Sequence, residues 1–269
     1  MLDKLKSQYR QSFHFPFQKK TAKNDTYRFE WIDDLQSLQE AQRFRAAQFS
    51  AQFGIRFAAG LDQDLYDFGC WHAVLRDQWS NEIIAYTRLK LFQGHELDQS
   101  YSQQEFKIAA ALGPLSNIVE IGRTCVHPRC RSGKALSALW LNLMPKVLWE
   151  MRAQHIIGCV SIRMQGNEAR AYYTHQRMQA LASASRCSIE PQQAFEPPYP
   201  QYSLAQDERI PKLFDVYLKM GAQLSAQAYH DEAFNCLDYF VYLDAARLAK
   251  EFMLQKKMSA PPLLNHQNS

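Results

Sequence analysis

The sequence lacks the cysteine spacing of a metal or redox site, and it lacks a membrane-length apolar run. Its cysteines are Cys70, Cys125, Cys130, Cys159, Cys187 and Cys236. None of them forms a CxxC pair, so we expect no metal ion. No apolar stretch approaches the ~20 residues that a bilayer span requires, and the first residues lack the apolar centre of a signal peptide. These absences predict a cytoplasmic protein with reduced thiols.

Strong charge of one sign, internal repeats and low-complexity linkers are also absent. The net charge of +4 permits an acidic partner, but without a nucleic-acid motif it does not indicate nucleic-acid binding. The predicted organisation is a single domain at 27–255, a leader at 1–26 and a disordered tail at 256–269. The leader mixes basic and aromatic residues, which suits peripheral docking on an anionic membrane. A plain solvated leader is the alternative.

Strand-like and helix-like patterns alternate along the chain. The strand-like runs cover 27–32, 70–76, 83–92, 119–126, 155–162, 223–229 and 236–243, and the helix-like segments cover 34–53, 101–112, 134–151, 167–182 and 207–220. Asp33 or Asp34 is placed to cap the first helix and Gly54 to end it, whereas Pro145 should kink the third helix near Leu141. This alternation predicts an α/β fold with a mixed sheet covered by helices.

The turn between strand 119–126 and helix 134–151 concentrates positive charge. Arg129, Arg131 and Lys134 surround the start of the helix, where free backbone N–H groups and the helix dipole favour an anion. A phosphate or pyrophosphate group is the expected ligand. A solvated turn whose charges bind nothing is the alternative.

The strand before this turn carries two charged residues, Glu120 and Arg123. They are three apart, so a regular strand would place them on opposite faces. Either one of them faces solvent, or a bulge turns both toward a cleft. A structural ion pair, for example with Arg88 on the neighbouring strand, is the alternative to a functional role.

Several blocks of the sequence resemble one enzyme family. VEIGRTCVHPRCRSGKALSALW, GCVSI and IPKLFDVYLKMGAQLSAQAYHDEAFNCLDYFVYLD resemble the ornithine N-acyltransferases of ornithine-lipid synthesis, within the GCN5-related N-acetyltransferase (GNAT) superfamily. The earlier blocks FRAAQF, FGIRF and DLYDFGCWH fit the same family. The resemblance implies a GNAT-like, mostly antiparallel central sheet with splayed middle strands and helices on both faces.

A more distant resemblance connects the chain to acyl-homoserine-lactone synthases, which share this fold and take their acyl group from an acyl carrier protein. Their motifs correspond here to Arg45 and Phe49, Asp64 and Asp67, Arg88, and Glu120 and Arg123. The correspondence favours a functional role for Glu120 and Arg123 over a purely structural one.

These resemblances imply an enzyme that moves a fatty acyl group, 3-hydroxylated in the expected case, from acyl carrier protein to the α-amine of ornithine. The expected product is lyso-ornithine lipid. The amine arrives protonated, and Glu120 is the predicted proton acceptor. Arg123 either keeps Glu120 ionised or binds the substrate carboxylate. Backbone N–H groups near Cys125 and Val126 are expected to stabilise the thioester oxygen.

The donor is expected to bind through its phosphopantetheine arm. The residues predicted to hold it are Cys125, Val126, Arg129, Arg131, Ser132, Gly133 and Lys134. Aligned from Arg131, Lys134 and Leu136 stand where the wider superfamily has its loop glycines. This departure favours the single phosphodiester of a carrier protein over the larger coenzyme A, which remains the less favoured donor.

The acceptor side of the site is expected to need a carboxylate for the side-chain cation of ornithine and an apolar slot for the acyl tail. The residues predicted to contact substrate are Arg45, Phe49, Asp64, Asp67, Arg88, Ser161 and Asp231. Phe53 and Phe57 are further candidates for the slot, although phenylalanines at helical spacing are also typical of a plain core. Asp231 is equally consistent with a turn cap.

Three other functions remain open from the sequence alone. An acetyl-CoA-dependent acetyltransferase would act on a small amine, and another acyl-carrier-protein-dependent synthase would acylate glycine or lysine. A lactone-forming synthase would need adenosylmethionine. A non-catalytic basic module is disfavoured by the mild net charge.

Overall fold

An eight-stranded sheet organises the molecule in the computed structural model, which describes residues 26–131, 133–182, 189–197 and 209–250. The strands are β1 Tyr27–Ile32, β2 Trp71–Asp77, β3 Ile83–Phe92, β4 Ile118–Val126, β5 His155–Arg163, β6 Gln223–Leu224, β7 Tyr229–Asp231 and β8 Cys236–Asp244. Their order is β1-β2-β3-β4-β5-β8-β6, with β7 beside β8. Every pair is antiparallel except β4 with β5, as the mostly antiparallel prediction requires.

Helices cover both faces of this sheet, as predicted. They are α1 Leu35–Phe53, α2 Tyr101–Glu105, α3 Ile108–Leu112, α4 Lys134–Pro145, α5 Glu168–Ala182 and α6 Lys212–Lys219. The core of α4, α5 and α6 lies on one face, and the cores of α1 and of α2 with α3 lie on the other. Asp34 caps α1 by accepting a hydrogen bond from the Ser37 N–H, and Gly54 ends it at φ +78°.

The two middle strands run side by side only briefly. The β4–β5 ladder pairs Ile118 with His155 and stops at Glu120 with Ile157, whereas β5 stays paired with β8 along its whole length. A Cβ on Gly158 would collide with the carbonyl oxygen of Ile121, so the close approach where the strands part needs glycine. The predicted splay of the middle strands is confirmed.

Three elements differ from the prediction. The helix predicted at 101–112 is two short helices, because Phe106 leaves the helix to form a β-bridge with Pro191. The helix predicted at 134–151 shows its irregularity after Pro145, as a wide turn at Lys146–Glu150, and not near Leu141. The strand predicted at 223–229 is divided into β6 and β7.

The predicted leader lies outside the described residues except for residue 26, and the predicted tail lies wholly outside them. The division of the chain into leader, domain and tail therefore stays a prediction. Among the described helices, none combines the length and the apolar character that crossing a bilayer requires.

Candidate active site

A cleft opens where β4 and β5 diverge. It encloses about 1070 Å³, including the part open to solvent. The charged residues in its lining are Arg88, Lys90, Glu120, Arg123, Asp231 and Asp238. Four of these six charged residues were singled out by the sequence (Arg88, Glu120, Arg123 and Asp231). Phe49 and Ser161, which were also predicted to contact substrate, line the cleft as well.

A bulge in β4 turns both Glu120 and Arg123 toward this cleft. Arg88 pairs with Gly122 and Tyr86 pairs with Cys125, so two residues of β4 oppose a single residue of β3 between these pairs. Arg123 itself has φ +51°, in the left-handed region that a non-glycine residue adopts only at a cost. Of the two alternatives left by the spacing of Glu120 and Arg123, the structure supports the bulge.

The carboxylate of Glu120 is held at the start of α2. Its two oxygens accept hydrogen bonds from the Tyr101 N–H, at 3.1 Å, and from the Ser102 N–H, at 2.7 Å. Lys90 lies opposite Glu120 in the register of β3 against β4, and it also lines the cleft. The bonds fix the orientation of Glu120 while it remains at the wall of the cleft.

Arg45 is fully buried on α1. Its guanidinium lies 2.8 Å from an Asp62 oxygen and 2.7 Å from an Asp67 oxygen, and it donates to the Tyr86 hydroxyl at 3.0 Å. Burial alone would raise the pKa of Asp67, but the bonds and charges of Arg45 and Arg88 lower it to about 2. Both Arg45 and Asp67 are thus engaged within the fold, so this placement favours a structural role and direct substrate contact stays a prediction.

Asp64 links two arginines of the cleft. It lies 2.5 Å from Arg88 and 2.9 Å from Arg123. Arg123 also packs over the rings of Tyr101 and Phe234, each at 5.1 Å from the guanidinium carbon. Among the described residues no hydrogen bond or ion pair joins Arg123 to Glu120, which favours the carboxylate-binding alternative for Arg123.

The positively charged turn lies at the rim of the cleft. Arg129 is exposed and paired with Glu82, and Arg131 approaches Gln52 at 3.5 Å. Gln52 lines the cleft, whereas Arg129, Arg131 and Lys134 lie outside its lining in the described part of the chain. The phosphate site therefore stays a prediction, with Arg131 next to the cleft through Gln52.

The remaining residues of this turn are placed as follows. Gly133 takes φ +93° directly before α4, and Ser132 lies outside the described residues. His127 accepts a hydrogen bond from the Arg129 N–H. Val126 ends β4, where its carbonyl faces Arg131 at 3.5 Å.

The thiols near the cleft are unsuited to nucleophilic attack. Burial raises the pKa of Cys125 and of Cys159 far above the usual value, so both stay protonated at neutral pH. Cys125 packs with the core under α1, and Cys159 lines the cleft. The geometry favours direct transfer over an acyl-enzyme intermediate.

An aromatic wall forms the apolar side of the cleft. Phe49, Phe53 and Phe234 line it, with Phe234 centred 6.0 Å from Phe49 and 5.7 Å from Phe53. Phe57 contacts Phe234 from behind, at 6.2 Å. Phe234 has no counterpart in the sequence prediction, because it follows Asp231 in a turn and no periodicity marks it.

A group of three acids lies at the cleft, two of them in its lining (Asp231 and Asp238) and one buried beside them (Glu105). The sequence prediction missed Asp238 and Glu105. Asp238 on β8 and Glu105 at the end of α2 are each 3% exposed, and Asp231 is half-buried. Burial raises the pKa of Asp238 to about 6, against the opposing effect of a hydrogen bond from Ser161. Burial and then the charge of Asp238 raise the pKa of Glu105 well above its usual range. Two neighbouring acids with raised pKa values are typical of a buried site in which a second negative charge is unfavourable.

In the absence of substrate and above pH 7, Asp238→Asn should therefore raise the free energy of unfolding. The folded-state pKa of Asp238 is raised from 3.8 to about 6, so its stabilising contribution is complete below about pH 4 and is lost as the pH rises through about 6. Asparagine does not titrate, and the expected gain at pH 8 is on the order of 2 kcal/mol. Thermal unfolding of both proteins from pH 4 to pH 8 measures it. Asp98→Asn, at an exposed site outside the cleft, should show no such gain, and an equal loss for Asp238→Asn at every pH would contradict the account.

Residues 44–141 match the sequence model of the acetyltransferase (GNAT) domain family. The matched range contains the second half of α1, the strands β2 to β4 and the first turns of α4, and thus one side of the cleft. Together with the splayed sheet, it supports an acyltransferase with a GNAT-like fold.

The curated relatives of this chain are acyltransferases with a more specific name. The chain is 24% identical over 247 residues to an L-ornithine Nα-acyltransferase of Rhodobacter capsulatus, covering 84% of this chain and 93% of the relative. It is 27% identical over 216 residues to one of Agrobacterium fabrum, covering 71% and 70%. Among solved structures, an N-acyl amino acid synthase from uncultured soil microbes superposes with a TM-score of 0.52 at 12% identity, covering 87% of this chain and 98% of that one. This last likeness concerns the fold alone.

Proposed function

We propose that the protein transfers a 3-hydroxylated fatty acyl group from the phosphopantetheine thioester of acyl carrier protein to the α-amine of L-ornithine, forming lyso-ornithine lipid. The printed activity of the curated relatives supports the choice of ornithine. The observation that carries the proposal is the cleft at the fork of β4 and β5, which places a fixed carboxylate, an arginine and an aromatic wall together.

The thioester arm enters between the diverging strands. Beyond Glu120 the edge of β4 that faces β5 has no strand partner there, so backbone groups on this edge are open to a ligand. N–H groups on it, between Glu120 and Val126, are aimed at the thioester oxygen as it gains negative charge. Phe49, Phe53 and Phe234 receive the acyl chain.

The transfer itself then needs one proton acceptor. Glu120 takes a proton from the α-ammonium of ornithine, directly or through one water, and the freed amine attacks the thioester carbon. The C–N bond forms, the C–S bond breaks, and the pantetheine sulfur leaves and is protonated. Arg123 pairs with the substrate carboxylate at the cleft wall.

The donor is held at the rim. Arg131 and Lys134 bind the phosphodiester of phosphopantetheine, and the same charges attract an acidic carrier-protein helix. Coenzyme A would present a pyrophosphate and a ribose phosphate to a turn that lacks the loop glycines of the wider superfamily. Acyl-CoA is therefore the less favoured donor.

The experiment combines the purified protein with 3-hydroxyacyl carrier protein, 3-hydroxyacyl-CoA or acetyl-CoA, each with a panel of amino acids, and identifies the products by mass. We expect Nα-(3-hydroxyacyl)ornithine as the main product, formed fastest from the carrier protein. Acylation of another amino acid, or acetylated amines alone, would refute the proposal. An Arg131→Gln variant should lose rate with the carrier-protein donor, whereas Arg170→Gln, on α5 outside the cleft lining, should not.

A further inference from the structure

The buried acid group differs in its partners from the acids of the arginine network. Glu105, Asp231 and Asp238 lie close together in the fold, and Asp231 and Asp238 line the cleft. Among the described residues, no ion pair with lysine or arginine includes any of the three. By contrast, Asp62, Asp64 and Asp67 are all paired with arginines. Negative charge is thus compensated by ion pairs in the arginine network, whereas in the acid group the nearby charge of Arg123 lowers the pKa of Asp238 without forming an ion pair.

Glu105 provides a second observation on this group. It is 3% exposed, and its Oε2 has no hydrogen-bond partner among the described residues. Hydrogen bonds from the Tyr101 and Cys159 side chains act on its carboxyl group, and so do the charges of Asp238 and Asp231. A buried carboxyl oxygen without a donor costs stability unless a ligand satisfies it.

We propose that Glu105, Asp231 and Asp238 form the receptor for the side-chain ammonium of the acceptor amino acid and so select a diamino acid over a neutral one. The inference rests on the proposed function and assigns a part of the same cleft. An ammonium group brings three donors and one positive charge, which matches an acid group that forms no ion pair within the described residues and keeps a free acceptor at Glu105 Oε2. The donors that reach Asp231 and Asp238 are neutral, among them the Phe234 N–H and the Cys236 thiol. The acids of the arginine network are less suitable, because arginines already compensate their charge.

The positions on the sheet fit one acceptor molecule. Glu120 pairs with Ile157 and Asp238 pairs with Ser161, four residues further along β5. Side chains two or four apart on a strand share a face. Glu120 and Asp238 therefore lie on the same face of the sheet, at opposite ends of the cleft. An extended diamino acid then presents its α-amine to Glu120 and its side-chain ammonium to Asp238.

A metal ion is the alternative ligand for these acids. Asp231, Cys236 and Asp238 place their ligand atoms within 4.8 Å of one another. Burial, and then the charge of Asp238, raise the pKa of the Cys236 thiol far above its usual value, and a protonated thiol is a poor metal ligand. By itself, the raised pKa of the thiol disfavours a metal ion, and the zinc and chelation experiments below distinguish a metal ion from an organic cation.

The test compares ornithine with L-norvaline, which has the same carbon chain without the terminal amine. Asp238→Asn should lower the ornithine-to-norvaline ratio of kcat/KM at least about 30-fold, the lower end of what loss of one partner of a buried charge pair costs. Glu105→Gln and Asp231→Asn should lower the ratio in the same direction, and Asp98→Asn should leave it within about twofold. An unchanged ratio in an active Asp238→Asn variant would overturn the inference.

Ligand-induced thermal stabilisation gives a readout that does not require turnover. Ornithine should raise the melting temperature of the wild type more than norvaline does, and Asp238→Asn should abolish that difference. If ornithine binds in this way but no acyl transfer occurs, the proposed function fails and the receptor stands. If transfer occurs but the variants keep their discrimination, the receptor fails. Loss of ornithine binding on addition of zinc, or of activity on chelation, would assign the acids to a metal instead.

Discussion

Glu120→Gln is expected to lower kcat for acyl transfer by roughly 10²- to 10⁴-fold, the contribution typical of a positioned proton acceptor. Glutamine keeps one oxygen for the N–H groups at the start of α2 but cannot accept a proton from the substrate ammonium. The KM for ornithine should change little, because binding is assigned to other side chains. Initial rates with 3-hydroxyacyl carrier protein measure both quantities.

The matched control separates chemistry from helix capping. Ser100→Ala removes the other side-chain acceptor at the start of α2, which receives the Gln103 N–H, and leaves the carboxylate of Glu120 in place. Both variants should lose on the order of 1 kcal/mol of stability, but only Glu120→Gln should lose the rate. A kcat within about tenfold of the wild type in Glu120→Gln would leave this residue only a positioning role.

Arg45→Gln is expected to destabilise the fold by about 3–5 kcal/mol. The change removes the buried cation between Asp62 and Asp67 and leaves two buried carboxylates short of compensation. Arg88 and Arg123 pair with the same acids, so the arginine side of the cleft should be disturbed as well. Urea unfolding monitored by circular dichroism measures the loss.

Arg43→Gln is the control for this experiment. Arg43 lies on the same helix but is exposed, so its replacement should change stability by no more than about 0.5 kcal/mol. Equal stability of the two variants would contradict a structural role for Arg45. Full stability of Arg45→Gln with a raised KM for ornithine would instead support the direct substrate contact predicted from the sequence.

The sheet and its splay could be predicted from the sequence, because local patterns indicate the strands and the resemblance to a known family indicates their arrangement. Apolar runs of strand length, Asp34 and Gly54 carry most of that information. The break at Phe106 was not accessible, because it depends on a bridge to Pro191, which is distant in sequence. The irregular turn at Lys146–Glu150 follows Pro145 directly, whereas the sequence rule placed the kink four residues before the proline.

The site could be predicted only in part from the sequence, for a similar reason. The spacing of Glu120 and Arg123 allowed a bulge or opposite faces, and only the register of β3 against β4 decides between them. Asp238 did give a signal, since an acid within the apolar run CLDYFVYLD is unusual in a buried strand. Glu105 gave none, because a glutamate in a short polar helix is ordinary and its burial comes from packing against β5.

The account depends on the acyl thioester lying in the fork of β4 and β5, and a crystal structure of a ternary complex tests this most directly. The ligands are L-ornithine and a non-hydrolysable thioether analogue of 3-hydroxyacyl-phosphopantetheine. The account predicts the analogue between the strands beyond Glu120, its phosphate toward Arg131, and the acceptor between Glu120 and Asp238. An analogue bound elsewhere, with the fork of β4 and β5 empty, would contradict it.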